Sequence, residues 1–345
     1  MLHDVCGLQA QLLSAAALGI RARTTGLRQA DITRAINDER SIVRTWLMRG
    51  TLHLIAAEDL GLMLGLLGRI VAAGKQSRHT QLGLDSDLKR RGVIAIRRIL
   101  SRTGPLTRYE IVERLRRHGI TLDRKTQAPI HLIQLAALEG ILCLGPDREK
   151  TREPTYVLID DWLEHPPSPP NQAALGELAR RYFAAYGPAA VDDLVAWSGL
   201  PVTQARLAIT MALPALAQVK VDGRACFALK ERIESTSRRS PGTKTVRLLP
   251  AFDSYLLGYQ SRDLAVPSRL QRRLQRGGGW LHPAVVIDGR AVGAWSFRKA
   301  GGQTQVLIET LEPIEGPLQE GVEAEVADVG RFLGMPLTVR KTRLR

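Results

Sequence analysis

The sequence predicts an α+β fold, with three tandem winged-helix domains followed by a β-rich C-terminal region. An order of three helices and a two-stranded hairpin recurs along the first two thirds of the chain, and residues 244–345 contain mainly strand-like runs. The length of 345 residues fits two to three domains of roughly 100–200 residues each. A hydrophobic content of 44% is sufficient for buried cores.

The clearest copy of this order is predicted over residues 76–163. Its first helix ends at Gly104 and Pro105, and a capping box from Thr107 to Glu110 opens the second helix. Gly140 ends the third helix as a helix carboxyl cap does. The helices of this domain are predicted at 93–103, 109–118 and 128–139, and its strands at 141–144 and 155–159.

A second complete copy is predicted over residues 172–232, and a less regular first copy over residues 1–75. In the complete copy, Asp222 and Gly223 form a tight-hairpin signal between two strand-like runs. Its elements are predicted at 174–186, 191–198, 202–212, 217–221 and 226–229. The first copy has corresponding runs at 27–37, 43–48 and 51–55. A Pro-rich stretch at 165–171 predicts a semi-rigid spacer, and a polar stretch at 235–242 predicts a hinge.

The last domain, residues 244–345, is predicted to be a small β-rich domain. Asp288 and Gly289 are expected to form the turn of a hairpin within it. The three glycines from Gly277 to Gly279 are expected to form a mobile loop before that hairpin. Strands are predicted at 245–249, 284–287, 291–297, 305–309 and 337–341, with a helix near 320–333.

The charge of the chain predicts a nucleic-acid partner. Lys and Arg number 49 against 34 Asp and Glu, which gives a net charge of +15. The excess is clustered, since residues 75–152 hold 17 basic against 8 acidic residues, and residues 308–330 hold seven acidic residues and no Lys or Arg. An Arg-rich proteome would explain the composition but not the clustering. Clustered positive charge is typical of phosphate binding.

Cysteine and hydropathy patterns narrow the class of protein. Cys6, Cys143 and Cys226 lie far apart, and the sequence contains no compact His/Cys group, so we expect no metal and no cofactor. Three widely spaced cysteines favour a reduced cytoplasm. The apolar run at 8–20 lacks a basic residue ahead of it, and no run reaches the ~20 residues that span a bilayer. A cytoplasmic protein without membrane contact is predicted, and we expect it to be a monomer.

A pair of carboxamides near the amino terminus is the candidate catalytic feature. Gln9 and Gln11 are spaced at i and i+2, which places both side chains on the same face of an extended segment but about 200° apart in a helix. Gly7 can break a preceding turn and leave such an extended segment. Two convergent Gln side chains can hold one water molecule between a donor and an acceptor. The alternative is that the pair simply starts a solvated helix.

Several longer motifs accompany this pair, and together they cover nearly the whole chain. They are Arg40-Ser-Ile-Val-Arg44-Thr-Trp46, Tyr182-Phe-Ala-Ala-Tyr186-Gly-Pro188, Trp197-Ser-Gly-Leu200, Leu249-Pro-Ala-Phe252-Asp253-Ser-Tyr255-Leu-Leu-Gly258-Tyr259 and Trp280-Leu-His-Pro283. With the Gln triplet they closely resemble the AlkZ-like family of winged-helix DNA glycosylases, of the azinomycin-resistance type. The resemblance implies that Gln9 and Gln11 hold the attacking water. It also implies excision of bulky N7- or N3-alkylated purines, with interstrand crosslinks among the candidate lesions.

Candidate DNA contacts follow from the resemblance and from the charge clusters. Arg44, Arg49 and His53 are the candidates near the Gln pair, although capping or a buried ion pair for the arginines, and a structural hydrogen bond for His53, are equally good interpretations. The remaining candidates are exposed basic groups in the second and fourth domains. They are Lys89, Arg90, Arg91, Arg262, Arg272, Arg273 and Arg290.

The sequence also allows two other functions. The segment before the Gln pair is shorter than the resemblance implies, which predicts either a start further upstream or the loss of part of the first winged helix. A catalytic site on an unsupported terminus is poorly preorganised. A non-catalytic winged-helix regulator that binds double-stranded DNA is therefore the main alternative. An RNA-binding module is a weaker one, since aromatic residues make up only 5% of the chain.

Overall fold

The structure is a computed structural model that describes residues 1–165, 170–237, 244–277 and 279–344. The chain forms two compact units, each built from separated segments. The first unit consists of Met1–Ile32, Ala179–Trp197 and Ala212–Arg345, and the second unit of Thr33–Leu178 and Ser198–Met211. None of the described helices is long and apolar enough to cross a membrane.

The helices are α1 (Leu13–Arg21), α2 (Gln29–Asn37), α3 (Leu60–Ala73), α4 (Gln76–Gln81), α5 (Ser86–Thr103), α6 (Arg108–Arg116), α7 (Ala128–Leu138), α8 (Ile159–Trp162), α9 (Ala174–Tyr186), α10 (Val191–Ser198), α11 (Val202–Ala212), α12 (Lys230–Ser237), α13 (Ser254–Leu257), α14 (Ser268–Leu274) and α15 (Pro317–Leu333). The strands are β1 (Leu8–Gln9), β2 (Ile42–Trp46), β3 (Leu52–Ala56), β4 (Leu106–Thr107), β5 (Leu142–Asp147), β6 (Pro154–Leu158), β7 (Leu216–Val221), β8 (Arg224–Leu229), β9 (Val246–Leu249), β10 (Gln275–Arg276), β11 (Trp280–Leu281), β12 (Ala284–Ile287), β13 (Arg290–Ala300), β14 (Gln303–Thr310) and β15 (Thr338–Arg343).

The second unit packs its helices around one sheet whose strands lie in the order β3-β2-β5-β6-β4. Its core joins side chains of α5, α6 and α7, including Ile96, Ile111 and Leu132, with Trp46 of β2. The hairpin β2–β3 and the hairpin β5–β6 share this sheet because Arg44 pairs with Leu144. The sequence places these hairpins in two separate domains, and their pairing is a feature that periodicity does not show.

Local signals explain several boundaries in the second unit. Asp85 caps α5 by accepting from the Leu88 N–H at 2.8 Å. The predicted capping box is present, with the Thr107 side chain accepting from Glu110 N–H and the Glu110 side chain accepting from Thr107 N–H. Gly104 and Gly140 both have positive φ, at 71° and 76°, where glycine is the least strained residue. The predicted helices and strands of this region are therefore confirmed to within a few residues, except that α5 begins seven residues earlier than expected.

The first unit contains a five-stranded sheet in the order β15-β14-β13-β12-β9. Its strands pair antiparallel except for β14 and β15, which are parallel. Phe252 and Leu270 belong to a core on this sheet that also takes in Ala15 of α1. Asp222–Gly223 and Asp288–Gly289 both adopt positive φ at both positions, as a type I′ hairpin turn requires.

Some sequence predictions differ from the structure. Helices α1 and α3 are absent from the sequence prediction. The predicted hinge at 235–242 begins within α12, and residues 238–243 lie outside the described residues, as do 166–169 of the predicted spacer. Gly277 and Gly279 lie between β10 and β11, which pair as a short hairpin rather than a simple loop, and Gly278 lies outside the described residues.

Candidate functional site

Gln9 lies in β1, and Gln11 lies in the bend that joins this extended segment to α1. Leu8 and Ala10 are buried, at 2% and 0% exposure, whereas Gln9 is half-buried and Gln11 is exposed. This alternation is typical of an extended chain, in which successive side chains point to opposite faces. The alternative interpretation, that the pair starts a solvated helix, is wrong because α1 begins at Leu13.

A compact turn precedes the extended segment. The Gly7 N–H donates to the Leu2 carbonyl at 2.9 Å, and the Cys6 N–H donates to the His3 carbonyl at 3.3 Å. Cys6 and Gly7 have φ values of 54° and 89°. A glycine at the second position lets the chain leave the turn in an extended conformation without strain from a Cβ atom. The expected role of Gly7 is therefore seen in the structure.

A tyrosine hydroxyl fixes this turn to the rest of the first unit. The Tyr186 O–H donates to the Val5 carbonyl at 3.0 Å. The Tyr186 ring stacks on Tyr182, with centroids 5.2 Å apart, and contacts Trp197 and Tyr259. Burial raises the pKa of Tyr186, so the hydroxyl remains a donor at neutral pH. The amino-terminal segment is therefore held by a rigid aromatic cluster rather than left unsupported.

The helix that follows the Gln pair is held by a second contact. Leu8 packs against Gly19 of α1, whose Cα also faces the Asp253 carboxylate and Pro250. Arg23 donates to both Asp253 oxygens, at 2.6 and 2.9 Å, and to the Gly19 carbonyl. Burial alone would lower the pKa of Arg23, but the Asp253 carboxylate raises it above its ordinary value. The Arg23 guanidinium therefore stays charged.

Asp253 has a further role in this arrangement. Its carboxylate accepts from the Tyr255 N–H at 2.8 Å and so caps α13. The motif from Phe252 to Tyr255 thus orders α13 and anchors α1 at the same time. The motif is visible in the sequence, but the roles of Arg23, Asp253 and Tyr186 are not, because their partners lie far away along the chain.

The three basic candidates Arg44, Arg49 and His53 lie on the β2–β3 hairpin of the second unit. Arg44 is half-buried, and burial lowers its pKa while Asp147 and Tyr156 oppose that shift. Arg49 is half-buried and occupies the left-handed region, with φ of 58°, in the turn between the strands. Both remain candidates for contact with phosphates, although both also serve the hairpin.

His53 does not fit the predicted role as a charged DNA contact. It is 2% exposed, and its Nδ1 lies 2.9 Å from the Thr51 carbonyl. Burial, reinforced by Arg49, lowers its pKa to about 3, so the ring is neutral at physiological pH. The structural interpretation of His53 is the one that agrees with this geometry.

The basic run at the start of α5 divides into two kinds of group. Arg90 and Arg91 both donate to Asp87, at 2.6 and 2.7 Å, so their charge is partly neutralised. Lys89 instead donates to Gln76 at 2.7 Å. Sequence reasoning missed Lys75, which immediately precedes α4, and Arg78, which lies within it. Within the described residues, no carboxylate lies within 4.0 Å of Lys75, Arg78 or Lys89.

The four carboxyl-terminal candidates also differ. Arg273 forms an ion pair with Glu309 and therefore serves the fold of the first unit, which does not support the expected role in DNA binding. Arg272 and Arg290 are exposed. Arg262 is half-buried and lines a cavity, where it donates to Gln275 at 3.2 Å. The four arginines therefore differ in exposure and in hydrogen-bond or ion-pair partners.

Comparison with known proteins gives consistent results. A family model described as DNA glycosylase AlkZ-like matches residues 2–332. The chain is similar to an interstrand DNA cross-link repair glycosylase of Streptomyces sahachiroi, with 32% identity over 96% of this chain and 89% of the relative. Its structure is similar to the solved structure of Streptomyces sahachiroi DNA glycosylase AlkZ, with a TM-score of 0.84, 27% identity and coverage of 99% of this chain and 92% of that chain.

Proposed function

Because the chain belongs to the AlkZ-like DNA glycosylase family, we propose that Gln9 and Gln11 position a water molecule for attack on the anomeric carbon of a damaged nucleotide. The observation that carries this proposal is the alternation of burial along an anchored segment, in which Gln9 is half-buried and Gln11 is exposed while Leu8 and Ala10 are buried. The Tyr186 and Arg23 contacts hold that segment in place.

The lesion class follows from the neutral charge of the pair. A purine alkylated at N7 or N3 carries a positive charge, which weakens its glycosidic bond and makes it a good leaving group. Such a reaction needs a placed water and stabilisation of an oxocarbenium-like sugar more than it needs a general acid. One amide oxygen can accept a hydrogen bond from the water while the other carboxamide fixes its orientation. We therefore propose hydrolytic, monofunctional release of bulky N7- or N3-alkylated purines.

Unhooking of interstrand crosslinks is part of the proposal. The curated relative is named as a crosslink repair glycosylase, and an open arrangement of tandem winged helices would reach bulky adducts without full base flipping. The helix and hairpin groups of both units agree with that architecture. Exposed cations such as Arg78 on the second unit would then contact phosphates of double-stranded DNA.

The test is base release from duplex DNA that carries N7-methylguanine or a bulkier N7 adduct. We expect the wild type to release the base and Gln9→Ala/Gln11→Ala to lose release while binding DNA as before. Gln319→Ala is the matched control, because it removes the same amide from α15 without touching the Gln pair. Release that survives in the double variant would exclude this mechanism. DNA binding with no release by the wild type would favour the non-catalytic regulator.

A further inference from the structure

The first unit contains a cavity of about 590 Å³ that neither Gln9 nor Gln11 lines. Its walls come from the β7–β8 hairpin, from the segment around Pro188 and Asp193, and from the motif that runs from Tyr255 to Ala265. Cavities of roughly 300–1,000 Å³ are the size that proteins use for small organic ligands. The glycosylase mechanism proposed above assigns no role to this cavity.

Two tyrosines give the cavity rigid aromatic walls. The Tyr255 O–H donates to the Gly289 carbonyl at 2.8 Å, and the Tyr259 O–H donates to the Tyr186 carbonyl at 2.9 Å. Because both hydroxyls are already bonded to the backbone, a ligand is offered mainly the rings. Leu264, which is 64% exposed, adds an apolar side chain to the wall. A flat, apolar group is the best match for such a surface.

Three aspartates and two arginines line the cavity, and one of these arginines, Arg262, is placed to bind a single negative group. Arg262 has no carboxylate within 4.0 Å among the described residues, and its Nη1 donates only to the neutral Gln275 side chain. Arg224, the other cation of the wall, is already close to Asp193, at 3.6 Å. A half-buried guanidinium without a countercharge is a good binding site for a phosphate oxygen.

Acidic groups limit the size of that negative charge. Asp222 and Asp263 are both exposed members of the same wall. They would repel a di- or triphosphate far more strongly than a single phosphate group. A ligand with one phosphate and one planar base meets all three requirements of volume, aromatic surface and charge.

We propose that this cavity binds a single nucleotide, with the base against Tyr255 and Tyr259 and the phosphate at Arg262. The nucleotide has two possible sources, an unpaired nucleotide within a DNA strand or a free mononucleotide. The ring faces recognise any base, so little base preference is expected. This site is distinct from the Gln pair and does not depend on its chemistry.

The experiment measures binding of two probes to the full chain by calorimetry. One probe is a single-stranded trinucleotide without damage, and the other is deoxyadenosine monophosphate. We use the Gln9→Ala/Gln11→Ala chain as background, so that a failure of the glycosylase proposal does not affect the result. Thermal melting of each variant shows that it is folded.

Variants of the cavity give the expected pattern. Tyr255→Leu is expected to weaken binding by about tenfold, within the range for loss of one base–aromatic stack, whereas Tyr255→Phe keeps the ring and is expected to bind nearly as the parent does. Arg262→Gln is expected to weaken binding by about tenfold as well. Arg343→Gln is the matched control, because it removes an exposed guanidinium of the same unit that pairs with Glu312 and does not line the cavity.

Each outcome is decisive. Binding of the trinucleotide alone assigns the cavity to a DNA strand, and binding of the mononucleotide assigns it to a free nucleotide as well. The proposal is overturned if neither probe binds at millimolar concentration. It is also overturned if every probe that binds does so equally well to the parent, to Tyr255→Leu and to Arg262→Gln.

Discussion

His53 is held neutral inside the β2–β3 hairpin, and this makes stability depend on pH. Its pKa is lowered to about 3, mainly by burial, whereas an unfolded histidine titrates near 6.5. Below pH ~6.5, His53 therefore binds a proton in the unfolded chain but not in the folded chain. The free energy of unfolding is expected to fall as pH drops from about 6.5 towards 3, by roughly 1.4 kcal/mol per pH unit for this group.

The measurement is urea unfolding of the wild type and of His53→Gln between pH 7 and pH 5. The slope of the free energy of unfolding against pH is expected to be smaller for the variant by the equivalent of about one proton. The two curves therefore converge at acid pH. His118→Gln removes an exposed histidine and serves as the control. An unchanged slope in His53→Gln would mean that His53 does not titrate as its burial demands.

Tyr186 connects the aromatic cluster to the turn that precedes the Gln pair. Tyr186→Phe keeps the ring but removes the hydrogen bond to the Val5 carbonyl, and it is expected to cost about 1 kcal/mol of stability. Because a small displacement of a positioned water lowers the rate steeply, we expect base release to fall by about tenfold. Quenched time courses of base release, taken well below the melting temperature, would measure this fall in rate.

The matched control for Tyr186 is Tyr182→Phe. It removes a comparable buried hydrogen bond, from Tyr182 to the Gly258 carbonyl, and leaves the amino-terminal turn untouched. A similar loss of stability with unchanged release is expected. Equal losses of release in both variants would show that the effect arises from the aromatic cluster as a whole and not from the Val5 contact.

At the scale of single residues, the sequence predicts the geometry of the Gln pair but not its support. The i, i+2 spacing after Gly7 fits an extended segment with both amides on one face, but the spacing alone also allows the start of a helix. The contact between Tyr186 and Val5 joins residues far apart in the chain, and no local pattern encodes it. The same limit applies to the ion pair between Arg273 of α14 and Glu309 of β14, which no local pattern predicts.

Among the helices, α3 approaches α7 so closely that a side chain is excluded at one position. A Cβ atom at Gly68 would lie 2.3 Å from the Leu138 carbonyl oxygen, whereas one at Gly74 would meet nothing closer than 3.6 Å. Gly68→Ala is therefore expected to lower the free energy of unfolding by about 1–3 kcal/mol through overpacking. Gly74→Ala is expected to be neutral or stabilising by up to about 1 kcal/mol.

Chemical denaturation of the two glycine variants is a direct comparison, because both replace a glycine at or just beyond the carboxyl half of α3. If Gly68→Ala were as stable as Gly74→Ala, the two helices would have to be free to separate. Loss of stability confined to Gly68→Ala would instead establish the close approach of α3 to the end of α7.

At the scale of elements, glycines and caps explain which boundaries are predictable. Helix α6 is opened by its capping box, and Gly104 and Gly140 end the helices before them, so these bounds follow from local chemistry. Helix α1 has no side-chain cap that would mark its start. Helix α3 is apolar on most of its surface, so it shows no clear amphipathic period. The shared sheet of β2 and β5 depends on a long-range pairing and cannot be read from either hairpin.

For the molecule as a whole, net charge is less informative than which cations lack a partner. The chain carries +15, yet many arginines are used in ion pairs with nearby carboxylates, as Arg21 is with Glu325 and Asp328. Such groups contribute little additional attraction for phosphate. The cations around α4 differ, because among the described residues none of them pairs with a carboxylate: Lys89 donates to Gln76, and Arg78 donates to Gln81 and Gln127.

This distribution predicts how DNA binding responds to salt. Each phosphate contact made by a lysine or arginine contributes about 0.9 to the slope of log K against log salt concentration for duplex DNA. We expect the combined variant Lys75→Ala/Arg78→Ala/Lys89→Ala to reduce that slope by roughly 2–3. Arg90→Ala/Arg91→Ala is expected to reduce it by less than about one, because Asp87 already neutralises part of that charge. Fluorescence anisotropy with an undamaged duplex at several salt concentrations measures both slopes, and equal slopes for the two variants would show that carboxylate pairing does not decide which cations face the phosphates.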